Sequence, residues 1–68
     1  MNEDVMNMEI RKYLKKVGIT SQREIEKALH SAIEDGRLSG NEKVGVSIRL
    51  EMPSIGLEHT VAGSIALE

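Results

Sequence analysis

From Lys43 to Leu67 polar and apolar residues alternate. Val44, Val46, Ile48, Leu50 and Met52 are interleaved with Lys43, Gly45, Ser47, Arg49 and Glu51. Leu57, His59, Val61, Gly63, Ile65 and Leu67 are interleaved with Glu58, Thr60, Ala62, Ser64 and Ala66. A period of two marks strands with one apolar and one polar face, and predicts strands at 43–52 and 57–67. Between them, Pro53 presets φ for the first corner of a turn and Gly56 takes the left-handed position that closes a four-residue loop. Pairing Met52 with Leu57 then sets the register. Leu50 meets His59, Ile48 meets Val61, Val46 meets Gly63 and Val44 meets Ile65, so both apolar sets fall on one face. On the other face Glu51 opposes Glu58, with Arg49 placed diagonally to relieve them.

The N-terminal half has a helical period instead. Met6, Ile10, Tyr13, Leu14 and Val17 form one stripe, with Asn2 as a cap, Glu3 and Asp4 at the positive end, and Gly18 as a stop. Ile25, Ala28, Leu29, Ala32 and Ile33 form a second stripe, ended by Gly36. Ser21 and Glu24 have the spacing of a capping box, which predicts a fresh helix start there. The pattern therefore predicts helices at 3–17 and 22–35, joined by a tight turn. The whole reads as an α+β domain in the order ααββ, with a helical hairpin lying on the apolar face of the β-hairpin.

Composition narrows this picture. Sixty-eight residues make one small domain, without cysteine and with Tyr13 as its sole aromatic, so no disulfide, thiolate zinc site or large core supplements it. A lone hairpin is marginal in water. These limits predict a homodimer, formed by joining hairpin edges into a four-stranded sheet, with the helix stripes as the competing surface. A net charge of −2 argues against a general nucleic-acid or anionic-membrane binder. No basic n-region with an apolar run opens the sequence and no segment approaches membrane-spanning length, which predicts a cytoplasmic protein.

Candidate chemistry is sparse. Leu14 to Ser21 resembles the turn of a winged helix-turn-helix, and Arg11, Lys12, Lys15, Lys16 and Arg23 make a basic cluster able to face nucleic acid. Glu24, Glu26, Glu34 and Asp35 on the would-be recognition helix would face phosphate unfavourably, and no aromatic residue interleaves with the cluster to stack bases. His30 stands one turn from Glu26 and from Glu34, a spacing better explained by ordinary i,i+4 pairing than by a metal. His59 reads as a hydrogen-bonded boundary residue, and Gly63 as the place where a helix side chain such as Tyr13 approaches the strand. No nucleophile–base pair, phosphate-cradling loop or metal motif is visible, so neither an enzyme nor a cofactor is expected. The small, neutral strip Gly45, Ser47, Ala62, Ser64 and Ala66 is the candidate face for another protein.

Met1 to Val5, Arg11 to Gly18, Ser21 to Ala28 and the Gly56-Leu57-Glu58-His59 exit from the turn together resemble a family of short, uncharacterised bacterial proteins of about this size. The resemblance spans nearly the whole chain. It implies a bacterial, cytoplasmic protein and supplies no activity, substrate or site residue.

Overall fold

The computed structural model describes residues 1–68, which divide into two compact units, Met1–Arg37 and Leu38–Glu68. The order of elements is α1 (Glu3–Glu34), β1 (Lys43–Met52), a single 3₁₀ turn (Pro53–Ile55) and β2 (Leu57–Ala66). The architecture is thus αββ. The helical hairpin expected from the sequence does not form: one helix of 32 residues, about 48 Å long, replaces the helices at 3–17 and 22–35.

Both ends of α1 are set by local chemistry. The Asn2 side chain accepts a hydrogen bond from the Val5 backbone N–H at 3.1 Å, and Glu3 and Asp4 occupy the first turn. At the other end Gly36 adopts φ 83°, the left-handed conformation that closes a helix. Its N–H donates to the Ile33 carbonyl at 3.3 Å, and the Asp35 N–H to the Ser31 carbonyl at 3.0 Å. The Arg37 guanidinium, 2.8 Å from Asp35, offsets an acidic residue at the negative end of the helix dipole and holds the Asp35 carboxyl below the usual range.

The interior explains the missing turn. Gly18 stays helical, since the only left-handed glycines are Gly36, Gly40 and Gly56. A glycine inside a helix costs about 1 kcal/mol relative to alanine and a good N-cap contributes about as much, both in favour of a break. A break sacrifices several main-chain hydrogen bonds worth about 1 kcal/mol each, so local preference does not force one. The Thr20 hydroxyl donates back to the Lys16 carbonyl at 2.9 Å and lies 3.4 Å from that of Val17, as in a helix interior. No Ser21–Glu24 capping box forms. The two apolar stripes are also in phase. Ile10, Ser21 and Ala32 are spaced by eleven residues, as are Leu14 and Ile25, and Val17 and Ala28. Eleven residues are close to three turns, so one straight stripe runs the length of the helix.

The hairpin follows its alternation. Pairing runs unbroken from Lys43↔Ala66 to Met52↔Leu57, with Leu50↔His59, Ile48↔Val61 and Val46↔Gly63 as the turn predicts. Gly56 has φ 71°, and its N–H donates to the Pro53 carbonyl at 3.3 Å. Arg49 reaches both carboxylates around it, Glu51 at 3.0 Å and Glu58 at 3.1 Å, which relieves the Glu51–Glu58 opposition. All three side chains are largely exposed, so this triad contributes little beyond fixing their orientation.

Val44, Val46, Leu50 and Ile65 are half-buried, whereas Ile48 is 43% and Val61 59% exposed, and Met52 and Leu57 are exposed as well. Along the helix Val17, Ser21, Ile25 and Leu29 are half-buried, while Ile10 and Leu14 remain 48% and 53% exposed. Ala32, at 7%, is the one buried residue.

Candidate functional site

Each unit presents its candidate residues on an open surface. The first such surface is the stripe on α1. A rise of 1.5 Å and a turn of 100° per residue bring Met6, Ile10, Leu14 and Val17, in the first half, into line with Ser21, Ile25, Ala28 and Ala32 in the second. The first half is uniformly bulky, whereas the second mixes Ile25, Leu29 and Ile33 with Ser21, Ala28 and Ala32. Tyr13, also exposed, borders the stripe on the side of Glu24.

The basic cluster lies on the back of the same helix. Arg11, Lys12, Lys15, Lys16 and Arg23 spread over about three turns of one continuous rod. The turn that would have presented a recognition helix does not exist, so the winged-helix geometry is overturned. None of these five side chains forms an ion pair, the three ion pairs of the chain being Arg37–Asp35, Arg49–Glu51 and Arg49–Glu58. Further along, Arg23, Glu26, Lys27, His30, Ser31 and Glu34 line a shallow, open groove on a single helical face. His30 does not pair with Glu26, which instead accepts from the Gln22 amide at 3.0 Å. No three His, Asp or Glu side chains gather as a metal ion would require.

The hairpin places the small strip as its register demands, Gly45 opposite Ser64, Ser47 opposite Ala62, and Ala66 opposite Lys43. All five small residues are exposed. In a two-stranded sheet both strands are edge strands, so their outer N–H and C=O groups are also unpaired within the sheet. His59 pairs with Leu50, is exposed, and makes no side-chain hydrogen bond. Gly63 pairs with Val46 in an unbroken register, and a Cβ built there would meet nothing within 4 Å.

The loop before β1 contains the most organised polar group. The Glu42 carboxylate accepts from three successive backbone N–H groups, Ser39 at 2.8 Å, Gly40 at 2.9 Å and Asn41 at 3.1 Å. Three converging N–H dipoles favour the ionised form, and the bond from Ser39, followed by that from Gly40, holds the Glu42 carboxyl below the usual range. This arrangement resembles an anion-binding nest already filled by the chain's own carboxylate. Beyond it, the Leu67 N–H donates to the Glu42 carbonyl at 3.0 Å, so the loop is tied to the end of β2.

The sign of the Glu42 shift gives a testable pH dependence. Because the folded value is depressed, the loop's stabilisation is complete above the unfolded glutamate value of about 4.3 and is lost as pH falls through the lower folded value. The backbone amide signals of Ser39, Gly40 and Asn41 are therefore expected to titrate together with a midpoint below about 4.3. Glu42→Gln should abolish that titration. A midpoint at or above the ordinary glutamate value would mean that the three bonds do not persist in solution.

No helix is long and apolar enough to cross a membrane. Over residues 1–68 the chain matches the model of a family of unknown function. No curated protein and no solved structure matches it.

Proposed function

The chain belongs to DUF6494, a family of unknown function, so we infer its role from its own surfaces and propose a non-catalytic, homodimeric interaction module. The observation that carries this reading is the apolar surface that each unit exposes: Ile10 and Leu14 on α1, and Ile48 and Val61 on the hairpin, are all more than 40% exposed. An isolated amphipathic helix draws most of its stability from packing its apolar face, and a two-stranded hairpin is marginal by itself. A chain that exposes both apolar surfaces gains most by covering them with a second copy. The strip Gly45, Ser47, Ala62, Ser64 and Ala66 is small enough to lie flat against a further protein, which gives the dimer an adaptor's free face.

Sedimentation equilibrium across a wide concentration range tests the reading. A species of twice the chain mass is expected, together with a melting temperature that rises with protein concentration, because association stabilises by mass action. A stable monomer whose melting does not depend on concentration would end it.

A further inference from the structure

Resting on the dimeric reading above, we propose that the second copy pairs with the outer edge of β1, antiparallel and two-fold about Ser47. The phase of the hairpin's own hydrogen bonds fixes which main-chain groups that edge offers. The Leu67 N–H donates to the Glu42 carbonyl at 3.0 Å, so Glu42 and Leu67 form a narrow pair next to Lys43↔Ala66. Narrow pairs recur at every second residue along the ladder, at Val44↔Ile65, Val46↔Gly63, Ile48↔Val61 and Leu50↔His59. Lys43, Gly45, Ser47, Arg49 and Glu51 therefore turn their N–H and C=O groups away from β2. Neither proline nor a bulge interrupts this row, and all five residues are exposed.

The order of residues along β1 is self-complementary. About Ser47, Lys43 stands opposite Glu51 of the second copy, Gly45 opposite Arg49, and Ser47 opposite its own counterpart. Each of these pairs exchanges two main-chain hydrogen bonds. Lys43 has no ion pair within the chain, and Glu51 faces Glu58 across the hairpin. The new pair gives the lysine an anion and the crowded carboxylate a further cation. Gly45, without a side chain, leaves the bridges from Arg49 to Glu51 and Glu58 undisturbed. On the other face Val44 meets Leu50 and Val46 meets Ile48, so the apolar row continues across the join. Neighbouring registers lose the match. A two-fold at Val46 sets Lys43 against Arg49, and one at Ile48 sets Lys43 against Pro53 and Arg49 against Ser47. The β2 edge fits less well. About Ala62, Glu58 faces Ala66 and lies diagonal to Glu68, and that strand has no lysine or arginine to offset them.

A charge swap reads both the edge and the register. Lys43→Glu and Glu51→Lys, each alone, place like charges opposite one another twice per dimer and are expected to weaken self-association about tenfold. Their equimolar mixture should recover the parent affinity, because both facing pairs of a mixed dimer are again opposite in sign. Val46→Cys and Ile48→Cys proteins, mixed and oxidised, should give mainly the mixed disulfide, which a chain otherwise free of cysteine makes readable. Val46 of one copy and Ile48 of the other would form a wide pair with Cα atoms about 4.5 Å apart, within disulfide reach. Single charge variants that weaken the dimer without recovery on mixing, or self-linked species in excess of the mixed one, overturn the Ser47 register. A dimer indifferent to both charge changes and unlinked in the cysteine mixture overturns the β1 edge and leaves the dimeric reading in place. A monomeric parent protein in sedimentation ends both.

Discussion

If the proposed homodimer packs through α1, Leu14→Glu is expected to break it and, with it, most of the protein's stability. Within one chain the substitution should be mild. Leu14 is 53% exposed, and a carboxylate one turn from Arg11 would gain a weak helix pair, so the change should stay within about 0.5 kcal/mol. In a dimer packed through the α1 stripe the same position lies within the contact. Each copy would lose a buried leucine, worth about 2–5 kcal/mol, and gain a carboxylate that must stay hydrated. Two such sites weaken association by at least about 4 kcal/mol, roughly a thousandfold in Kd. Sedimentation and circular dichroism at matched concentrations separate the cases. An unchanged dimer with unchanged helix content would exclude the stripe as its interface.

Thr20→Pro should be nearly as severe, for a different reason. At an interior helix position proline removes one main-chain hydrogen bond and its ring collides with the carbonyl four residues back, here Lys16, at a cost of about 3 kcal/mol or more. Had the chain turned at Gly18 and restarted at Ser21, position 20 would precede the cap and accept proline readily. The companion Thr20→Ala removes only the exposed hydroxyl bonds to the Lys16 and Val17 carbonyls and should change stability by less than about 0.5 kcal/mol. Denaturant unfolding of both variants measures the difference. Equal stability of Thr20→Pro and the parent would mean that α1 is broken after all.

The elements differed in how far their sequence specified them. The hairpin was fully legible because its determinants are local and mutually reinforcing. Pro53 and Gly56 set the loop, the loop sets Met52↔Leu57, and a period of two carries that pairing to Lys43↔Ala66. The two ends of α1 were legible for the same reason, through Asn2 and Gly36. Its middle was not. Gly18 reads as a stop and Ser21–Glu24 as a start, each worth about one of the several helical bonds that a break would sacrifice. The signal that settles it was present at longer range, in the eleven-residue spacing that places Ile10, Ser21 and Ala32 in one line. The basic cluster was found as residues, but its meaning depended on a turn that never forms.

What the chain determined by itself was therefore short-range: the strand register, the loop, the caps, and the residues belonging to each apolar stripe. Those follow from backbone geometry and hydrogen bonds spanning a few residues, which no distant contact needs to endorse. Only the folded chain showed that the break signals at Gly18 and Ser21–Glu24 lose to the eleven-residue stripe, and which apolar side chains of each unit remain exposed. Burial is a property of what approaches a surface. A pattern of apolar residues names the face to be covered without containing the group that covers it.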